Sequence, residues 1–176
     1  MAQLSVEIGA ALGLDTHLLG VLFKGALLHD IGKMLIPREV LFKKGALTPT
    51  ERQEIQSHPS LGVQILDGVP GFEEIREIVL GHHEKIDGSG YPRGLSAPKI
   101  PILTRIVTVA DVYDALRAQR PYRKGFPCPE VEKIIKEDPG LDKQVVETLY
   151  KQVLAQPAAR WPAFCQYNPI KIKMPD

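Results

Sequence analysis

Apolar residues in this chain recur every three or four positions almost from end to end, and that period admits little other than helices. Leu4, Ile8, Ala11 and Leu12 share one side of a first helix that Gly13 closes. Asp15 is placed to cap a second, carrying Leu18, Leu19, Leu22, Phe23, Ala26 and Leu27 into His29-Asp30. Pro37 suits the first turn of a short helix reaching Phe42. Thr48-Pro49-Thr50-Glu51 reads as a capping box for a helix through Ile55 to His58, where Pro59 either weakens one helical hydrogen bond or starts a new helix, with Leu61, Val63, Ile65 and Leu66 following. Ile75, Ile78, Val79 and His82 line a further helix. The stretch 102–116 is β-branched enough to be a strand, but with no second good strand to pair with it reads as a buried helix. Amphipathic helices follow at 130–137 and 142–154. Between the helix that reaches His82 and the stretch 102–116, the Gly- and Pro-dense segment 87–101 reads as an ordered loop. The expected fold class is therefore all-α, a helical bundle spanning 1–154 with a Pro-rich irregular tail at 155–176.

Composition narrows the function classes. At 176 residues the chain has the length of one ordinary domain. Its 22 Lys+Arg balance 21 Asp+Glu, which excludes the global charge signature of a nucleic-acid coat or a polybasic membrane anchor. Cys128 and Cys165 form no CxxC pair, so neither a disulfide framework nor a zinc-thiolate site is expected. No basic leader and no spanning apolar run is present, and a reducing, cytoplasmic setting is the simplest expectation.

The chemistry-bearing residues are histidines and carboxylates. His29-Asp30, His58 and His82-His83 form small clusters, and Asp111 sits on the buried-looking helix with Asp114 three residues on. Neutral imidazole and carboxylate make a mixed N/O donor set suited to iron, manganese, zinc or nickel rather than calcium. Six candidates (His29, Asp30, His58, His82, His83 and Asp111) exceed the needs of one four-coordinate ion and suffice for two ions sharing a carboxylate. Paired metals activate water and clamp phosphoryl oxygens, so phosphodiester hydrolysis is the natural reaction. Lys33 lies one turn beyond Asp30. Arg120 and Arg123 follow the acidic helix in Arg-Pro-Tyr-Arg, where they suit phosphate contact. Arg117 and Lys124 read better as a solvated face, His17 as a surface or cap residue, and Asp114 as structural. Tyr91, in Gly-Tyr-Pro, could stack on a base or donate its hydroxyl. Glu84 reads equally as a support for a histidine or as a solvated charge.

Taken in order, HDIGK, HPSLGVQIL, HHEKIDGSGYPRGL and ADVYDALRAQRPYR resemble the HD-GYP family, a branch of the HD-domain phosphohydrolases. The resemblance runs from about Leu4 to Leu154. It implies an HD-domain bundle with the C-terminal extension of that family. The implied activity is hydrolysis of cyclic di-GMP to pGpG and on to GMP, with iron or manganese as the expected metals and nickel or zinc as alternatives. It implies His29, Asp30, His58, His82, His83 and Asp111 as metal ligands with Asp30 bridging, Asp30 and Lys33 as catalytic residues, and Tyr91, Arg120 and Arg123 as substrate contacts. The family carries a further histidine one helix before HDIGK, a position that falls upstream of Met1. From this the expectation is a fragment or an alternative start, two metals rather than three, and either hydrolysis or an impaired module that binds a cyclic dinucleotide. Expected partners are cyclic di-GMP and an N-terminal regulatory domain or a cyclase-domain protein, with no nucleic-acid polymer and no membrane. Phosphodiesterase action on another cyclic dinucleotide or nucleotide is the other alternative.

Overall fold

The computed structural model describes residues 1–119 and 125–155. Among them the chain forms helices α1 (Ala2–Ala11), α2 (Thr16–Leu28), α3 (Arg38–Leu41), α4 (Pro49–Ile55), α5 (His58–Leu66), α6 (Arg76–Gly81), α7 (Ile102–Arg117), α8 (Cys128–Glu137) and α9 (Lys143–Thr148). Tight 3-10 turns at Ile31–Leu35 and Glu73–Ile75 link neighbouring helices. No strand occurs among the described residues; a single bridge joins Asp87 to Ser96 inside the long loop. None of the described helices is long and apolar enough to cross a membrane.

The caps act as the side chains dictate. The Asp15 carboxylate accepts the Leu18 N–H at 2.8 Å and starts α2. Thr48 Oγ1 accepts from Glu51 N at 3.2 Å while Glu51 Oε2 accepts from Thr48 N at 2.7 Å, closing both halves of the box at α4. Pro37 precedes α3 as its N-cap rather than entering the first turn.

Helix α7 runs through the core. Ile106, Val107, Val109 and Ala110 on it are completely buried, packing with Ile8 of α1, Leu22 of α2 and Val79 of α6. Its threonines are satisfied without a ladder. Thr108 Oγ1 donates to Thr104 O at 3.0 Å and lies 2.9 Å from His82 O, and Thr104 Oγ1 donates to Glu77 O at 3.2 Å. These contacts tie the end of α6 to α7, and burial overrides the strand propensity of ILTRIVTV.

Two expected boundaries move. The helix expected to run to His58 stops at Ile55, and a new one begins at His58 with Pro59 in its first turn. A proline has no N–H to give the preceding turn, and the freed Ile55 carbonyl is taken by the His58 ring at 2.7 Å. The helix expected over 142–154 is α-helical only to Thr148 and then widens into a π-turn, Leu149–Val153, closed by Leu154 N on Leu149 O at 2.8 Å. Arg120, Arg123 and Lys124 lie outside the described residues, as does the tail from 156 onward.

Candidate metal centre

Three helix ends deliver three histidines in the same way. His29 caps the C-terminus of α2, His82 caps that of α6, and His58 follows α4 as the first residue of α5. In each case ring Nδ1 bonds the carbonyl three residues earlier: Ala26 O at 2.8 Å, Ile55 O at 2.7 Å and Val79 O at 2.8 Å. A helix end leaves its last carbonyls without N–H partners, and a carbonyl can only accept. Each Nδ1 therefore carries the proton, and each Nε2 points away from the helix toward a common centre.

At that centre the Nε2 atoms of His58 and His82 stand 3.2 Å apart. With both Nδ1–H groups committed, two lone pairs face one another. Two nitrogens at about 2.1 Å from one ion, at an angle near 100°, would be separated by about that distance. Asp30 Oδ1 approaches His58 Nε2 at 3.2 Å and His82 Nε2 at 3.8 Å, and it is buried without a hydrogen-bond donor. The donor atoms of Asp30, His58, His82 and His83 all lie within 4.8 Å of one another. An orphaned carboxylate oxygen among convergent imidazole lone pairs fits a divalent cation.

The other oxygen of Asp30 faces a second group. Oδ2 is 3.3 Å from His29 Nε2 and 2.6 Å from Lys33 Nζ, and His29 Nε2 is also 3.6 Å from Asp111 Oδ1. Dividing the two oxygens of one carboxylate between two donor groups is the arrangement a bridging ligand needs. All six histidine and aspartate positions singled out from the sequence meet here, with Lys33 at the rim.

Electrostatics keeps the two sides in different states. Burial opposes charge on His29, but the Asp111 and Asp30 carboxylates outweigh it and push its pKa up to about 9. Burial likewise opposes the charge of Asp30, yet His29, His58 and Lys33 hold it far below the ordinary carboxylate range. Asp111 is lowered despite burial, mainly by His29. Burial, then the neighbouring imidazoles, lower His82 well below 6.5, and the same causes bring His83 down to about 4. The signs give a pH optimum for the metal-free fold. His29, raised from 6.5 to about 9, contributes stability that is complete below 6.5 and lost as pH rises through 9. His83, lowered from 6.5 to about 4, contributes stability that is lost as pH falls from 6.5 toward 4. Thermal melting in chelator should therefore peak near pH 6.5, and a Tm that stayed flat from pH 5 to 9 would contradict this charge assignment.

Tyr91 lies with its ring stacked on His83, centroids 4.6 Å apart at 25°. One face is thereby used by a histidine, and burial followed by the Asp30 and Asp111 charges raises its hydroxyl pKa, keeping the proton on. Glu84 is neither of the things its sequence position suggested. It is 1 % exposed and bonds no histidine; its oxygens accept the backbone N–H groups of Arg93 at 2.7 Å and Leu95 at 2.8 Å. His17 is exposed beside Glu74, and Asp114 is more than half exposed. Arg117 is exposed, as expected of a solvated face, and donates to Phe126 O at 3.1 Å.

A family model for the HD domain matches residues 1–145. The chain belongs to the HD-domain family. Among curated relatives, it is 40 % identical over 152 residues to a cyclic di-GMP phosphodiesterase of Thermotoga maritima, covering 84 % of this chain and 41 % of that protein. It is 35 % identical over 171 residues to 3'3'-cGAMP-specific phosphodiesterase 1 of Vibrio cholerae, covering 92 % of this chain and 40 % of that one. The chain thus spans about two-fifths of the length of these two relatives. Among solved structures, an HDG"Y"P protein of Bdellovibrio bacteriovorus superposes with a TM-score of 0.69 at 27 % identity, over 85 % of this chain and 49 % of that one. The resemblance seen in the sequence motifs agrees with all three; HD domains bind divalent metals, and Asp30, His58, His82 and His83 form a cluster able to hold one.

Proposed function

We propose that this HD domain is the catalytic part of a metal-dependent phosphodiesterase that hydrolyses cyclic di-GMP to pGpG, to GMP or to both. The observation that carries the reading is the divided carboxylate of Asp30, with one buried oxygen against His58 and His82 and the other against His29. His58, His82, His83 and Asp30 would hold one divalent ion, and His29, Asp30 and Asp111 a second. The mixed N/O donors favour iron or manganese, with nickel and zinc as alternatives. Two ions held there would supply Lewis acidity to the phosphoryl oxygens and activate the attacking water.

The remaining work falls to the chain's own groups. The Nδ1–carbonyl bonds keep three rings in one tautomer and one orientation through the reaction. Lys33 uses one of its ammonium protons on Asp30 Oδ2, at 2.6 Å. Its other N–H bonds would hold a phosphoryl oxygen, and Nζ would give a proton to the departing 3′-oxygen. Tyr91 presents a neutral hydroxyl, a donor to phosphate or base. Arg120 and Arg123 would hold the second phosphate of the ring, which positions the substrate without taking part in bond breaking.

Relatives named for cyclic di-GMP and for 3'3'-cGAMP match the chain at 40 % and 42 % identity, so identity does not choose between the two substrates and a direct comparison of rates does. The test is anaerobic loading with iron or manganese and incubation with each dinucleotide, products being followed by chromatography. Release of pGpG or GMP, faster than turnover of 3'3'-cGAMP and absent in His82→Ala, is expected. Turnover of 3'3'-cGAMP alone would reassign the substrate, and bound metal with no product from either would overturn the reading.

A further inference from the structure

The loop between α6 and α7 is folded back on the metal centre by one buried carboxylate. Glu84 follows the two histidines directly, and both its oxygens are spent on backbone N–H groups of Arg93 and Leu95 across the loop. Between these anchor points and the histidines sits Tyr91, whose N–H bonds His83 O at 3.2 Å and whose ring covers the His83 ring. Gly90 presses so closely on the backbone of residues 83–85 that a Cβ there would meet His83 O and Lys85 N at 2.4 Å. From outside, the Arg93 guanidinium pairs with Glu77 of α6 at 2.9 Å and leaves its Nε 3.9 Å from Glu84.

A carboxylate shut away from water is costly unless its oxygens are well bonded. Here the bonds go entirely to the main chain of an irregular loop, so the charge holds a shape rather than a ligand. Two N–H groups, nine and eleven residues further along the chain, are gathered onto one side chain. The segment they bracket has no helix to hold it; its other ties are scattered single contacts, among them Tyr91 N on His83 O, Gly88 N on Lys85 O, Ile86 N on Gly140 O, Ser89 on Asp87 and the bridge of Asp87 with Ser96.

We propose that Glu84 is a positioning residue: by clamping the Arg93 and Leu95 amides it keeps Tyr91 stacked on His83, and so fixes both the tyrosine that meets substrate and the outer face of a metal-binding ring. It touches neither metal nor substrate. The role of Tyr91 toward substrate rests on the phosphodiesterase reading; the clamp itself does not.

Glu84→Gln keeps the volume and replaces one accepting oxygen by an NH2 group, which cannot accept from an N–H. One loop amide then loses its partner. In the full chain loaded with manganese, amide exchange at Arg93 and Leu95 should rise by about tenfold or more while the helices keep their protection. KM for cyclic di-GMP should rise by about tenfold with kcat changed by less than about threefold. If Glu84→Gln does not fold, Glu84→Asp, which keeps the charge and shortens the reach by one methylene, is read the same way. Unchanged loop exchange in a folded variant overturns the clamp. Faster exchange with KM unchanged overturns its link to Tyr91. A wild-type chain that hydrolyses neither dinucleotide sinks the phosphodiesterase reading and with it the substrate role of Tyr91, while the exchange measurement still decides the clamp.

Discussion

Asp30→Ala is expected to lower metal-dependent hydrolysis by at least about a hundredfold and to leave the purified protein with less than its full complement of metal. The carboxylate contacts four of the groups around it: His58 and His82 through Oδ1, His29 and Lys33 through Oδ2. Removing one partner from a buried set of charges costs about 3–5 kcal/mol. Asp30 is about a third exposed, so the low end applies. That figure is a cost in stability; the rate falls because loss of even an outer partner of a metal ligand costs about 10–100-fold in affinity or activity, and Asp30 is proposed as a ligand shared by both ions. Asp30→Asn separates charge from shape. It can still offer one oxygen to one side, but its NH2 group would face the other, so one of the two proposed ions should be lost preferentially. Metal analysis of both variants alongside initial rates makes the comparison. Full metal content and an unaltered rate in Asp30→Ala would remove Asp30 from the centre.

Gly32→Ala should be nearly as damaging, and for a reason that has nothing to do with charge. The 3-10 turn Ile31–Leu35 crosses the start of α5 so closely that a Cβ on Gly32 would lie 2.0 Å from His58 O and 2.5 Å from Gly62 N. Both obstructing atoms are backbone, so no rotamer change relieves the clash. Overpacking in a well-packed site costs about 1–3 kcal/mol, and here the upper end is expected because a whole helix or turn must move. The same movement separates Asp30 from His58, and a displacement of about 1 Å at a reacting centre can cost about a hundredfold in rate. Urea unfolding gives the first quantity and the loaded enzyme the second. A variant within about 1 kcal/mol of wild type with undiminished hydrolysis would show that the turn and α5 are not held at this spacing.

The all-α architecture was legible from periodicity and caps. Asp15 and Thr48 start helices where their side chains can reach an N–H, and α7 forms despite a β-branched stretch because no partner strand occurs among the described residues and its threonines bond back to helical carbonyls. The cluster of His29, Asp30, His58, His82, His83 and Asp111 was legible as chemistry, since few other roles gather those residue types. Its internal order was not. That each of three rings is oriented by the carbonyl three residues earlier depends on where helices stop, and the expected helix through Ile55 stops short of His58. Glu84 was illegible for a related reason. Its partners are main-chain groups of a Gly- and Pro-dense loop, where no period relates sequence distance to spatial distance, and a carboxylate beside two histidines invites a metal-directed reading instead. The segment Pro139-Gly140-Leu141-Asp142 also has a structural role. Gly140 O accepts from Ile86 N at 2.9 Å, Asp142 pairs with Arg105 at 2.6 Å, and Lys85 pairs with Asp138 at 2.9 Å, bracing the histidine segment against α7 and α8.

The central claim is that the two sides of Asp30 each hold a divalent cation. Crystals of the chain grown anaerobically with manganese, measured on both sides of the manganese absorption edge, test it most directly. The account predicts two anomalous peaks, one among Asp30, His58, His82 and His83 and one among His29, Asp30 and Asp111. Saturating manganese with no peak against Asp30, or a peak held by other residues, would contradict it.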